Sequence, residues 1–171
     1  GCLPLPKLMW LREHEPETYA RTSHVLISSK DYLIAQLTGE CVGDVAACST
    51  AGAMNIRNGQ WDAELCEVAE IDMTILPHLH NPQDNIGTVT ESAAQRTGFS
   101  AGTAVYAGIG DAGATTLASG VSHPGQYNIN IGTSGWIATV SPEPFTDKPG
   151  AANLAFGVEE GFVNAVPFLN A

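Results

Sequence analysis

Positive charge is scarce in this sequence. Seven Lys and Arg stand against 18 Asp and Glu over 171 residues, a net charge of −11. Six of the seven lie at or before residue 96, which leaves Lys148 alone in the remainder. Nucleic-acid backbones and anionic membrane surfaces are held through basic patches, so both partner classes are excluded. No apolar run approaches the roughly 20 residues of a membrane span, and no secretory leader is visible, so a cytoplasmic protein is expected. The chain also lacks paired cysteines: Cys2, Cys41, Cys48 and Cys66 are scattered without a CxxC, and free thiols are expected. His78 and His80 form an HLH in a stretch that reads as loop, with no Cys, Asp or Glu at ligand spacing, so no metal site is expected. Neither a Walker-type GxxxxGK[ST] nor a GxGxxG fingerprint occurs, which argues against a P-loop NTPase and a dinucleotide oxidoreductase.

What is present is an ordinary folded composition, 44% hydrophobic and 15% charged, in a length suited to one domain or parts of two. Leu5, Leu8, Met9 and Leu11 recur at helical spacing over residues 3–22, and Pro16 predicts a break there. "SSKDYLIAQLTGE" (28–40) predicts a helix with a Ser28/Asp31 capping box, a Leu33/Leu37 stripe and a Gly39 stop. Residues 61–71 predict a helix capped by Asp62 with Leu65, Val68 and Ala69 on one side. Residues 90–98 predict another, between Thr90 and Gly98. Strands are predicted at 53–56, 86–90 and 103–110, with 126–131 and 135–140 joined as a hairpin. Helices and strands interleave, which makes the chain α/β.

Two glycine-rich corners carry the chemistry. In "AVYAGIGDAGATTLASG" (104–120) an apolar strand runs through Gly108 and Gly110 to Asp111 at the head of a helix of small residues. Asp111 can simply cap that helix. It can equally reach a ligand past the bare glycines and take a proton from a hydroxyl as general base. In "YNINIGTSGWIATV" (127–140) the tip Gly132-Thr133-Ser134-Gly135 offers uncrowded backbone amides and two hydroxyls. An ordinary hairpin turn accounts for it, and so does a concave phosphate cradle. A base for an alcohol plus a phosphate cradle is the minimum for phosphoryl transfer, which requires the two to face one cleft about 5–10 Å apart. Residues 97–171 hold one Lys against five acids, so the nucleotide's charge must be offset by a divalent metal, Mg²⁺ carried in with ATP.

The ordered run "KLMWLREHEPETYART…SSKDYLIAQLTGE…ACSTAGAMNI…IGTVT…AGTAVYAGIGDAGA…GQYNINIGTSGWIATVS" resembles the FGGY carbohydrate kinases, over nearly all of residues 5–160. That resemblance implies a ribonuclease-H-like, actin/hexokinase-like ATPase fold, present in part. Residues 1–112 would end the N-terminal lobe and 113–171 would open the C-terminal, nucleotide-binding lobe. It implies Asp111 as the catalytic, sugar-binding aspartate, and Gly132 and Thr133 as phosphate contacts with Ser134 and Gly135 beside them. ATP and Mg²⁺ would be the cofactors and a sugar the partner, and a homodimer is one expected assembly. The first phosphate hairpin, most sugar contacts and the adenine pocket would lie outside these residues, so the chain alone is expected to be inactive. Ala112 follows Asp111 where many relatives carry Asn or Gln, which leans away from glycerol. Xylulose or a similar ketose stands first and gluconate second. A non-catalytic actin-like nucleotide-binding protein is the alternative of another class. Trp136 reads as a strand position, Asp44 and Ser49 as structural hydrogen bonders, and Lys30 and Arg57 as solvated charges.

Overall fold

The computed structural model describes residues 3–132 and 134–170. Cys2 and Thr133 lie outside the described residues. The first part of the chain strings short elements together: α1 (Pro4–His14), α2 (Pro16–Ala20), α3 (Ser29–Thr38), β1 (Val42–Asp44), α4 (Val45–Cys48), β2 (Met54–Asn55), β3 (Gln60–Trp61) and α5 (Ala63–Val68). There follow β4 (His78–His80), β5 (Asn85–Thr88), α6 (Glu91–Thr97), β6 (Ala104–Tyr106) and α7 (Asp111–Ala118). The last part is β: β7 (Tyr127–Ile131), β8 (Ser134–Ser141), β9 (Ala152–Ala155) and β10 (Phe162–Asn170).

Local chemistry explains the helix ends. Pro16 splits α1 from α2, and each helix begins with a proline at its first or second position, where the missing N–H costs nothing. α3 carries the full capping box, with Ser28 and Asp31 each bonding the other's backbone N–H, and stops at Gly39 in the left-handed region, φ 87°. Asp62 caps α5 and Thr90 caps α6. The apolar faces differ from expectation. Leu33 is 60% exposed and Val68 79% exposed, while Asp31 and Ile34 face inward on α3 and Cys66 on α5. Short helices follow whichever neighbour covers them, and a charged side chain takes a core position where partners wait for it. The HLH stretch is strand and not loop: His78–His80 pairs in parallel with Val42–Asp44. His80 Nδ1 lies 3.4 Å from the Asp84 carboxylate. Among the described residues no three His, Cys, Asp or Glu gather to hold a metal, and Cys41, Cys48 and Cys66 are free thiols.

Two small antiparallel pairs, β2–β3 and β5–β6, decorate the helical half, while β7-β8-β10-β9 form one antiparallel sheet. The predicted hairpin is its first pair, with Ile131 opposite Gly135. One core lies beneath this sheet, from Val121 and Val140 to Phe156 and Val163, and Ile109 and Ala112 pack against it. A second core joins α1, α5 and their loops through Leu8, Cys66 and Leu76. The link between halves is α4 against β9. Val45, Cys48 and Met54 pack with Ala155, and the Ala155 N–H donates to Ser49 Oγ at 2.9 Å. Gly157, at φ 72°, lets the strand end close on Val45 and Pro82, where a Cβ would meet Val45 Cγ2 at 2.6 Å. No helix among the described residues is long and apolar enough to cross a membrane.

Candidate functional site

A cleft of about 490 Å³ opens where α3, α4 and α7 converge, its wall formed by Ser28, Lys30, Ala47, Thr50, Gly110 and Asp111 among others. Asp111 is the first residue of α7, exposed, and Gly110 occupies the cap position. The Ala112 N–H donates to Asp111 Oδ1 at 2.8 Å, and this is the one hydrogen bond to that carboxylate found among the described residues. The carboxylate is therefore anchored by one oxygen at the positive end of a helix, a favourable place for an anion, with the other oxygen left to the cleft. Asp111 is therefore not the cap of α7, since Gly110 holds that position and no side chain caps the helix.

The approach to Asp111 is built by close contacts. Gly108 takes φ 67°, in the left-handed region, so the chain can turn sharply before the helix. A Cβ on Gly110 would stand 3.3 Å from both Cα and Cβ of Ala47, so α4 touches the corner directly. Gly113 accommodates Ile109, whose side chain an added Cβ would overlap. The Gly108 N–H donates to Pro82 O, and the Ala107 N–H to Asp84 O, which ties the corner to the loop after β4.

The opposite wall corrects the reading of Lys30 as a solvated charge. Its Nζ donates to Asp31 Oδ1 at 2.6 Å and pairs with Asp44 Oδ2 at 2.8 Å, and both carboxylates are fully buried. The other oxygens are also satisfied: the Ser28 N–H donates to Asp31 Oδ2, and the Ala46 and Ala47 N–H groups donate to Asp44 Oδ1. Burial works against the lysine's charge, but the hydrogen bond to Asp31 and the close contact with the Asp44 carboxylate outweigh it and hold the pKa above the ordinary lysine range. Lys30 is thus a fixed cation and not a proton acceptor. Burial pushes the neighbouring Cys48 thiol up strongly, with Asp31 and Asp44 adding to the effect, so it is no nucleophile near neutrality. Asp44 and Ser49 are structural bonders, as expected: Asp44 caps α4, and Ser49 donates to Val45 O while accepting from Ala155. Arg57 pairs with Glu143 at the surface, both more than half exposed, an arrangement of little energetic weight.

The turn residues divide. Gly132 is exposed at the tip, and Thr133 lies outside the described residues. Ser134 and Gly135 already belong to β8, opposite Asn170 and Leu169, and Gly135 is buried. The lining of the cleft includes Asp111 and neither Gly132 nor Gly135. Trp136 packs half-buried against the sheet core. The sequence did hold one overlooked signal for Lys30: an acidic residue, Asp31, at a helical position whose same-face neighbours Ile34 and Ala35 are apolar.

The sequence profile of the FGGY family of carbohydrate kinases, N-terminal domain, matches residues 2–118. The chain is 31% identical to a xylulose kinase of Bacillus subtilis over 88% of its own length and 30% of that protein's. It is 34% identical to an autoinducer-2 kinase of Photorhabdus laumondii over 94% of its length and 30% of that protein's. The crystal structure of a xylulose kinase from Rhodospirillum rubrum superposes with a TM-score of 0.88 at 29% identity, covering 99% of this chain and 34% of the other. The chain thus spans about 30% of the length of the curated relatives it matches, and its fold is the corresponding part of an actin/hexokinase-like ATPase.

Proposed function

The chain belongs to the FGGY family of carbohydrate kinases, and on that premise we propose that it works within a longer polypeptide that transfers the γ-phosphoryl group of ATP to a sugar hydroxyl. The observation that carries this reading is the Asp111 carboxylate, exposed on the wall of the cleft with one oxygen unclaimed among the described residues. An acceptor hydroxyl within hydrogen-bond reach of that oxygen gives up its proton to it. The hydroxyl oxygen attacks the terminal phosphorus, the bond to the β-phosphate oxygen breaks, and ADP leaves. Gly132 and Thr133 contact the nucleotide phosphates, while Ser134 and Gly135 shape the turn from within the ladder. Because the turn lies off the cleft lining, movement of the lobes brings phosphate and carboxylate together. The seam between lobes falls at residues 112/113, directly after a corner in which Gly110 rests on Ala47 and Ala112 packs against the sheet core.

Mg²⁺ on the phosphates would spread the charge that a segment with Lys148 as its one basic residue leaves unbalanced.

A ketose such as xylulose is the acceptor the reading favours, supported by the naming of several relatives as xylulose kinases. The test is a panel of xylulose, ribulose, gluconate, glycerol and autoinducer-2, each with ATP and Mg²⁺, on the full-length protein carrying this chain. The expected result is sugar-dependent ADP release with the highest kcat/KM on a ketose, and none from the 171-residue chain by itself. ATP binding without acceptor-dependent turnover on any member would favour a non-catalytic nucleotide-binding protein instead.

A further inference from the structure

We propose that Lys30 is a positioning residue for Asp111, which rests on the reading of Asp111 as the base. The proposal starts from connectivity. Lys30 sits in the first turn of α3, and its ammonium joins Asp31 on the same helix to Asp44 at the end of β1. Asp44 in turn holds the first turn of α4 through the Ala46 and Ala47 N–H groups, both at 3.0 Å. Ala47 is the residue against which Gly110 rests, at contact distance for any Cβ placed there. Gly110 precedes Asp111 directly. The lysine stem closes the path from the other side, since a Cβ on Gly108 would lie 3.7 Å from Lys30 Cδ. One cation therefore braces both surfaces that flank the Gly108–Gly110 corner, and every link is a hydrogen bond, an ion pair or a van der Waals contact.

The cluster's chemistry suits this work. Two buried carboxylates would repel each other without the ammonium between them, so Lys30 fixes the distance from α3 to β1 and not only their attraction. Its side chain is 25% exposed and lines the same cleft as Asp111, but its charge is committed to Asp31 and Asp44. The effect on catalysis passes through geometry: a displacement of about 1 Å in a reacting group can cost on the order of 10²-fold in rate.

A double-mutant cycle in the full-length protein tests this. Lys30→Met is expected to lower kcat about 10- to 100-fold with acceptor and ATP KM changed by less than about 3-fold, whereas Lys30→Arg restores most of the loss. On an Asp111→Asn background the same Lys30→Met change should lower the residual rate by no more than about 2-fold, because residues acting as a unit are non-additive. Equal fold-losses on both backgrounds, or no loss on either, would overturn the positioning role while leaving the base intact. An Asp111→Asn protein with undiminished kcat would instead remove the base reading itself. Should Lys30→Met fail to fold, the cycle runs with Lys30→Arg, where a residual loss of about 3-fold confined to the Asp111 background is expected and additivity contradicts.

Discussion

At the scale of single residues, small side chains decide where the reactive one stands. Asp111 is exposed with its second oxygen unclaimed among the described residues, and Gly108, Gly110 and Gly113 beside it let Lys30, Ala47 and Ile109 pack close to the corner. Gly110 is the sharpest case. Its φ of −59° suits any residue, so the demand for glycine comes from space alone: Ala47 stands 3.3 Å from the missing Cβ. Gly110→Ala should therefore cost about 1–3 kcal/mol by overpacking, read as a lower midpoint in urea unfolding, and should slow turnover by shifting Asp111. An unchanged midpoint would mean that the corner does not rest on α4. Much of this was legible in the sequence, because glycines flanking an acid at a strand-to-helix corner say that something approaches closely. Lys30 was not. A lysine in a helix's first turn looks like a surface charge until the chain folds and a second acid, 14 residues from the first-turn position, arrives beside it.

At the scale of elements, caps were the most legible features and buried faces the least. Ser28, Asp62, Thr90, Gly39 and Gly98 all stand where helix-end chemistry places them, since capping involves residues three or four apart in the chain. Leu33 and Val68 lie on the apolar stripes expected of their helices yet face solvent, because in helices of six to ten residues the period leaves several faces nearly equal and tertiary neighbours choose among them. β4 was read as loop for a related reason. Its three residues become strand only through parallel pairing with Val42–Asp44, a partner 36 residues away. The capping box gives a graded prediction. Ser28→Ala should destabilise by about 1 kcal/mol, whereas Asp31→Ala should destabilise more, because it removes both the reciprocal cap and a buried partner of Lys30. Denaturant unfolding of the two variants checks the order, and equal losses would mean that the ion cluster adds nothing to the cap.

At the scale of the whole molecule, the halves meet where the chemistry is proposed. Ala155 and Gly157 of the sheet half close on Ser49, Val45 and Pro82 of the helical half, and Asp111 heads the helix that packs on the sheet core. An acid on such a seam faces whatever the two halves enclose, which is the arrangement a kinase needs between sugar and nucleotide. The family and the α/β fold were legible because ordered motifs run along most of the chain. The spatial relation between Asp111 and the turn at Gly132 was not, since spacing along a sequence fixes no distance across a cleft. The most direct measurement is steady-state phosphorylation by the full-length Asp111→Asn protein. Asparagine keeps an oxygen for the Ala112 N–H and so preserves the helix start, but cannot take the proton. The account predicts a fall in kcat of about 10²- to 10⁴-fold with the fold and ATP affinity retained; a variant that phosphorylates its sugar at the unaltered rate would contradict it.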